Sequence, residues 1–146
     1  MGSPEDSDGL AGADAGDAGT DSGVPSGESY DWYMRGLHLL RSGNAAAAVQ
    51  VLAHAATAEP HSRSAREALA RAQFDAGLYP EARENFACIV DADPADDYAQ
   101  FGMGLAAART GDYRTAVEHL SLAAAMRPDL SHYKVALHGA RAALRS

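Results

Sequence analysis

GDYRTAVEHLSLAAAMRP, residues 111–128, runs from a glycine to a proline and carries four alanines, with only Val117, Leu120, Leu122 and Met126 as large aliphatic residues. A surface helix normally shows a broad apolar stripe backed by charge. Small residues here instead predict a helix approached closely by neighbours on both sides. The same spacing then appears elsewhere in the chain. Pro60, Pro94 and Pro128 lie 34 residues apart, as do Gly43, Gly77 and Gly111, and Ala48, Ala82 and Ala116. A large apolar residue recurs at Leu52, Phe86 and Leu120, and a small one at Gly36, Ala70 and Gly104. Five columns in one register establish an internal repeat.

Each unit predicts two helices. In the first, helix from about Tyr30 to Ser42 ends at Gly43, since glycine suits the left-handed residue that closes a helix. Asn44 opens a second helix to about Ala58, and Pro60 stops it. In the second unit Ser64 and Glu67 fit a capping box, and Pro80 sits where a first-turn proline is tolerated. Asp96 or Asp97, and then Asp112, are suitable caps in the third. A last helix, about Ser131 to Arg145, has Tyr133, Leu137, Ala140 and Leu144 on one face, with Lys134, Arg141 and Arg145 largely on the other. His138 occupies the column of Gly36, Ala70 and Gly104, so this helix reads as a cap on the array.

These columns resemble the tetratricopeptide repeat, whose pattern is W-x2-L-G-x2-Y, then A-x3-F, then P. Trp32, Gly36, Leu39, Ala48, Leu52 and Pro60 carry it in the first unit. Leu69, Ala70, Ala82, Phe86 and Pro94 carry it in the second, and Met103, Gly104, Ala116, Leu120 and Pro128 in the third. Arg66 and Gln100 replace the Trp, and Gln73 and Ala107 the Tyr. The fold class implied is an all-α solenoid of three helix-turn-helix repeats, about 29–62, 63–96 and 97–130, with a capping helix at about 131–145.

The 146 residues are 47% hydrophobic and 22% charged, within the range of globular domains. The net charge of −8 is concentrated at the start. Residues 1–28 hold seven acids and no Lys or Arg, leaving 13 acids against 12 bases in the remainder. That Gly-, Asp- and Ser-rich segment has too few apolar residues to offset the entropy of ordering and reads as a disordered tail. No basic footprint for nucleic acid exists, no apolar run is long enough for a membrane span, and no signal peptide opens the chain. A cytoplasmic location is the expectation. Cys88, the one cysteine, sits beside Phe86, Ile89 and Val90 and reads as a small buried hydrophobe.

The six histidines include no pair at helical metal-ligand spacing, and no catalytic or phosphate-binding motif is present. An enzyme is not expected, nor a cofactor. Recognition remains. The resemblance implies that the first helices of successive repeats line a concave groove. The columns left for that face are Tyr30, Ser64, Tyr98 and His132; Tyr33, Glu67 and Phe101; Leu37, Arg71 and Leu105; Leu40, Phe74 and Ala108; and Arg41, Asp75 and Arg109. The outer repeats offer aromatic and aliphatic residues. The middle one offers Glu67, Arg71 and Asp75, spaced to pair along one helix, with Asp75 also placed between Arg41 and Arg109. The carboxylate clamp known in the family would fall at Tyr33, Leu37, Ala68, Tyr98 and Gly102, which cannot form it.

An exposed row of Tyr30, Tyr33, Leu37, Tyr98, Phe101 and Leu105 would make a large apolar patch, suited to an amphipathic or extended apolar segment of a protein partner. The expected function is a protein-interaction adaptor, monomeric or weakly homodimeric. A substrate-holding role similar to small three-repeat secretion chaperones, or a homodimerising structural subunit, would use the same face.

Overall fold

The computed structural model describes residues 23–146 and contains seven helices among them: α1 Gly27–Arg41, α2 Ala45–Ala58, α3 Arg63–Asp75, α4 Tyr79–Ala92, α5 Asp97–Arg109, α6 Tyr113–Met126 and α7 Ser131–Arg145. No strand occurs among the described residues. Each helix packs on the next in chain order, and the first helices of successive repeats also touch, α1 on α3, α3 on α5 and α5 on α7. The result is an all-α solenoid in which each unit leans only on its neighbours.

Within each repeat the turn is made by a glycine that needs the left-handed region, with φ of +86° at Gly43, +84° at Gly77 and +84° at Gly111. Side chains with a Cβ adopt that conformation at a cost, so the glycine column is a geometric requirement. The small-residue column has a different cause. A Cβ on Gly104 would lie 2.6 Å from Leu120 Cγ and 3.2 Å from the Ala116 carbonyl oxygen, so α5 and α6 touch nearly backbone to backbone. Gly36 meets Leu52 in the same way in the first repeat. The middle repeat keeps Ala70 there, and its Phe86 ring presses instead on Gly102, where an added Cβ would come within 2.5 Å.

The core forms two clusters, one around Tyr33, Leu37, Leu52 and Leu69, the other around Phe74, Phe86, Phe101, Leu120 and Tyr133. Helix α3 joins them, giving Ala65, Ala68, Leu69 and Ala72 to one and Ala70 and Phe74 to the other.

Several local expectations are corrected. The cap of α3 is Ser62, whose Oγ accepts from the Ala65 N–H at 3.1 Å, so Ser64 and Glu67 are not a capping box. Asp96 and Asp112 do cap α5 and α6, accepting from Ala99 N at 3.0 Å and Thr115 N at 3.2 Å. Cys88 is exposed, because with His54 and Leu122, also exposed, it lies on the outer face of the second helices. Leu144 is 44% exposed, whereas Tyr133, Leu137 and Ala140 are buried.

The chain before α1 also differs from expectation. Residues 1–22 of the anticipated tail lie outside the described residues, but 23–26 dock on the junction of the first two repeats. The Gly23 carbonyl accepts from Ser62 Oγ and from the Ser64 N–H, the latter at 3.3 Å. Ser26 N–H donates to Glu59 Oε2 at 3.1 Å, Pro25 is buried, and Val24 packs on the first core cluster.

Candidate functional site

Helices α1, α3 and α5 carry equivalent faces, and the structure divides the anticipated groove residues sharply. Tyr33, Leu37 and Phe101, 2–3% exposed, belong to the core, as do Leu40 and Phe74. The exposed apolar row is therefore corrected: these side chains sit in the seams where successive first helices meet. Phe101 shows the reason most clearly, since the ring of Tyr133 from α7 stacks on it with centroids 4.4 Å apart. Tyr30 remains 42% exposed at the outer edge, while Tyr98 and Leu105 are half-buried.

The middle of the face is polar. Ser64, Glu67, Arg71 and Asp75 follow one stripe of α3, the first, second and fourth half-buried. Arg71 is 7% exposed, and its Nε is buried with no hydrogen-bond partner. Placing a guanidinium there without a bond to Nε is costly. Tyr98 from α5 adjoins this group. Burial pushes its phenol well above the usual tyrosine range, with Arg71 opposing and Glu67 and Asp75 reinforcing the rise, so the hydroxyl stays protonated as a donor.

Arg109 lies with its guanidinium carbon 5.1 Å from the Phe74 ring centre and 5.3 Å from that of Tyr79, and Nη1 donates to the Tyr79 hydroxyl at 2.7 Å. A planar cation held on two ring faces is positioned firmly. Tyr79 opens α4 and was no part of the sequence-derived site. The column of Trp32 conceals a second unanticipated feature. In the first repeat Trp32 rests on His54, centroids 4.6 Å apart. In the later repeats polar pairs take over: Arg66 Nη1 donates to Asn85 Oδ1 at 2.9 Å, and Gln100 Oε1 meets His119 Nδ1 at 2.6 Å. Both pairs join the same two columns, a signal that the 34-residue alignment contains. Both also tie back to the preceding turn, through the Pro60 and Pro94 carbonyls.

On another surface a cavity of about 210 Å³ is lined by Pro60, His61, Arg66, Cys88 and Ile89 among others. Arg63 at its edge is bound to Asp93 at 3.0 Å. Among the described residues no cluster of three or more His, Cys, Asp or Glu is placed to hold a metal ion, and no helix is long and apolar enough to cross a membrane.

Comparison with known proteins agrees with this architecture. The sequence profile of the tetratricopeptide repeat matches residues 33–97 and again 68–131. Among solved structures, the Sgt2 TPR domain from Aspergillus fumigatus superposes with a TM-score of 0.75 at 20% identity, covering 85% of this chain and 83% of that one. No curated protein matches the chain. The fold is that of a protein-interaction scaffold, and with its repeat profile spanning most of the described residues the chain belongs to the tetratricopeptide repeat family.

Proposed function

We propose that the protein is an interaction adaptor that holds a segment of a protein partner along the first helices of its repeats, centred on α3. The observation that carries this reading is Arg71, a cation nine-tenths buried on that face, whose Nε finds no hydrogen-bond partner. A bound segment offering a carbonyl oxygen or side-chain amide would complete it by displacing the side chains that cover Nε. Half-buried Leu105 and Tyr98 and exposed Tyr30 flank this centre, so the segment brings small apolar anchors on either side of a polar group. Glu67 and Asp75 beside Arg71 disfavour a carboxylate at the same point. In this reading the molecule works without a cofactor, as a monomer or weak homodimer in the cytoplasm, and catalyses nothing.

Affinity capture from the native cell with the wild-type chain, Leu105→Asp and Glu67→Arg tests it. Both positions are half-buried, and circular dichroism confirms the fold of each variant. Loss of the same captured protein with both variants supports the reading; retention with both excludes this face.

A further inference from the structure

Helix α7 is built as a first helix, yet the face that in the three repeats receives a second helix lies open among the described residues. Three columns make that face. Gly36 and Gly104 lie against Leu52 and Leu120, and Trp32 lies against His54. In the middle repeat Asn85 bonds to both Arg66 and Gln73, at 2.9 and 2.7 Å. On α7 the same columns hold Lys134, His138 and Arg141. With Arg145 they form a single stripe, spaced i, i+4, i+7 and i+11, and all four are exposed. The helix SHYKVALHGARAALR has no acidic residue, and none of the four makes an ion pair among the described residues. Beside the stripe Val135 is 70% exposed.

We propose that this stripe docks an acidic helix of a protein partner, laid along α7 in the place of a second helix. Charge complementarity selects the acids, since Lys134, Arg141 and Arg145 are cations that no described carboxylate pairs. The middle repeat supplies the geometry. A side chain in the Asn85 position reaches both of the columns that Lys134 and Arg141 occupy, so one glutamate there meets both cations. His138 replaces the small residue that lets the two helices of a repeat touch. The docked backbone therefore stands off, and long glutamate side chains span the gap that Leu52 and Leu120 fill elsewhere. Val135 takes an apolar residue at the edge of the contact. Other occupants fit less well. A second copy stacked end to end presents α1, whose exposed outer columns hold Arg35 and His38 as well as Asp31. A lipid surface needs an apolar face to insert, and that of α7 is packed into the core. The net charge of −8 opposes a nucleic acid.

Synthetic helical peptides, titrated into the isotope-labelled full chain and followed by amide shifts, test the contact. One carries glutamates in a single stripe with leucines beside it. A second has glutamine for each glutamate, and a third has the composition of the first with its glutamates dispersed around the helix. At low salt the striped acidic peptide is expected to bind about tenfold tighter than either of the others, with shifts centred on residues 134–145. At about 0.5 M salt, where charges are screened within a few ångströms, that preference should largely vanish. The surface variant Lys134→Glu, Arg141→Glu, Arg145→Glu should lose it too while circular dichroism stays unchanged. Equal binding of the three peptides, no binding, shifts centred on Glu67 and Leu105 instead, or a preference that survives the triple variant would each overturn the proposal. Tighter binding to phosphatidylserine vesicles or to duplex DNA than to the striped peptide would overturn it in favour of those surfaces. A dimer in light scattering that the triple variant abolishes would assign the stripe to a second copy and overturn it likewise.

Discussion

The ring of Tyr133 stacks on that of Phe101, planes 26° apart, and its hydroxyl donates to Asp97 Oδ2 at 2.7 Å. A residue of the closing helix thus completes the core of the third repeat and ties down the start of α5. The burial that produces this, together with the Asp97 bond, raises the Tyr133 phenol above its usual range. Phe101→Ala is expected to cost about 3–5 kcal/mol, Phe101→Arg to unfold the C-terminal half, and Tyr133→Phe to cost about 1–3 kcal/mol. Urea unfolding measures all three. A Phe101→Arg chain as stable as wild type would contradict the assigned burial.

The glycines of the helices divide by what they face. Gly104→Ala forces a methyl into Leu120 and should destabilise by about 1–3 kcal/mol. Gly139 in α7 has open space where its Cβ would be, so Gly139→Ala should stabilise by about 0.5–1 kcal/mol. Opposite signs in thermal unfolding are the result to look for.

Residues 23–26 act as a strap over the first two repeats. A chain beginning at Gly27 loses the two bonds to the Gly23 carbonyl, the Ser26 contact with Glu59 and the burial of Pro25. It should unfold several degrees lower, with a loss of about 1–3 kcal/mol. A chain beginning at Gly23 keeps these contacts and should retain them in its melting temperature. Equal melting of the two shortened chains would show that the strap contributes nothing.

His119 makes stability pH-dependent. Burial lowers its pKa below the usual histidine value. Its Nδ1–H donates to Oε1 of Gln100, whose amide Nε2 donates to the Pro94 carbonyl. The imidazolium would keep that bond, so the pH dependence comes from burying the charged ring. A lowered histidine pKa means that the unfolded chain takes up the proton first as pH falls. The contribution is therefore complete above about pH 6.5, the unfolded value, and is lost below it, down to the folded pKa. Urea midpoints at pH 7.5 and 5.5 should differ more for wild type than for His119→Gln, and an equal difference would rule this out.

The repeat was legible because its columns answer to local demands. Gly43, Gly77 and Gly111 are required by backbone conformation, Gly36 and Gly104 by close approach, and Asp96 and Asp112 by the orphan N–H groups of a helix start. The recognition face was less legible. Column membership places Tyr33, Leu37 and Phe101 on the inward side of their helices, but whether such a side chain meets water or another helix depends on how far the next helix leans over it. For Phe101 that next helix brings Tyr133, a residue in a column otherwise held by Asp31, Ala65 and Ala99. Cys88 failed for a related reason: apolar neighbours in sequence point to different faces of α4.

The sequence alone determined the helical solenoid, its period, its turns and the family, because each rests on contacts made within one 34-residue unit or between adjacent ones. Tertiary structure decided what the surface presents: a polar stripe centred on buried Arg71, Arg109 held on the Phe74 and Tyr79 rings, a strap at 23–26, and a basic outer face on α7. Exposure is a property of the packed array, fixed by helix tilt and by the size of side chains arriving from other repeats, and no single stretch of sequence encodes it.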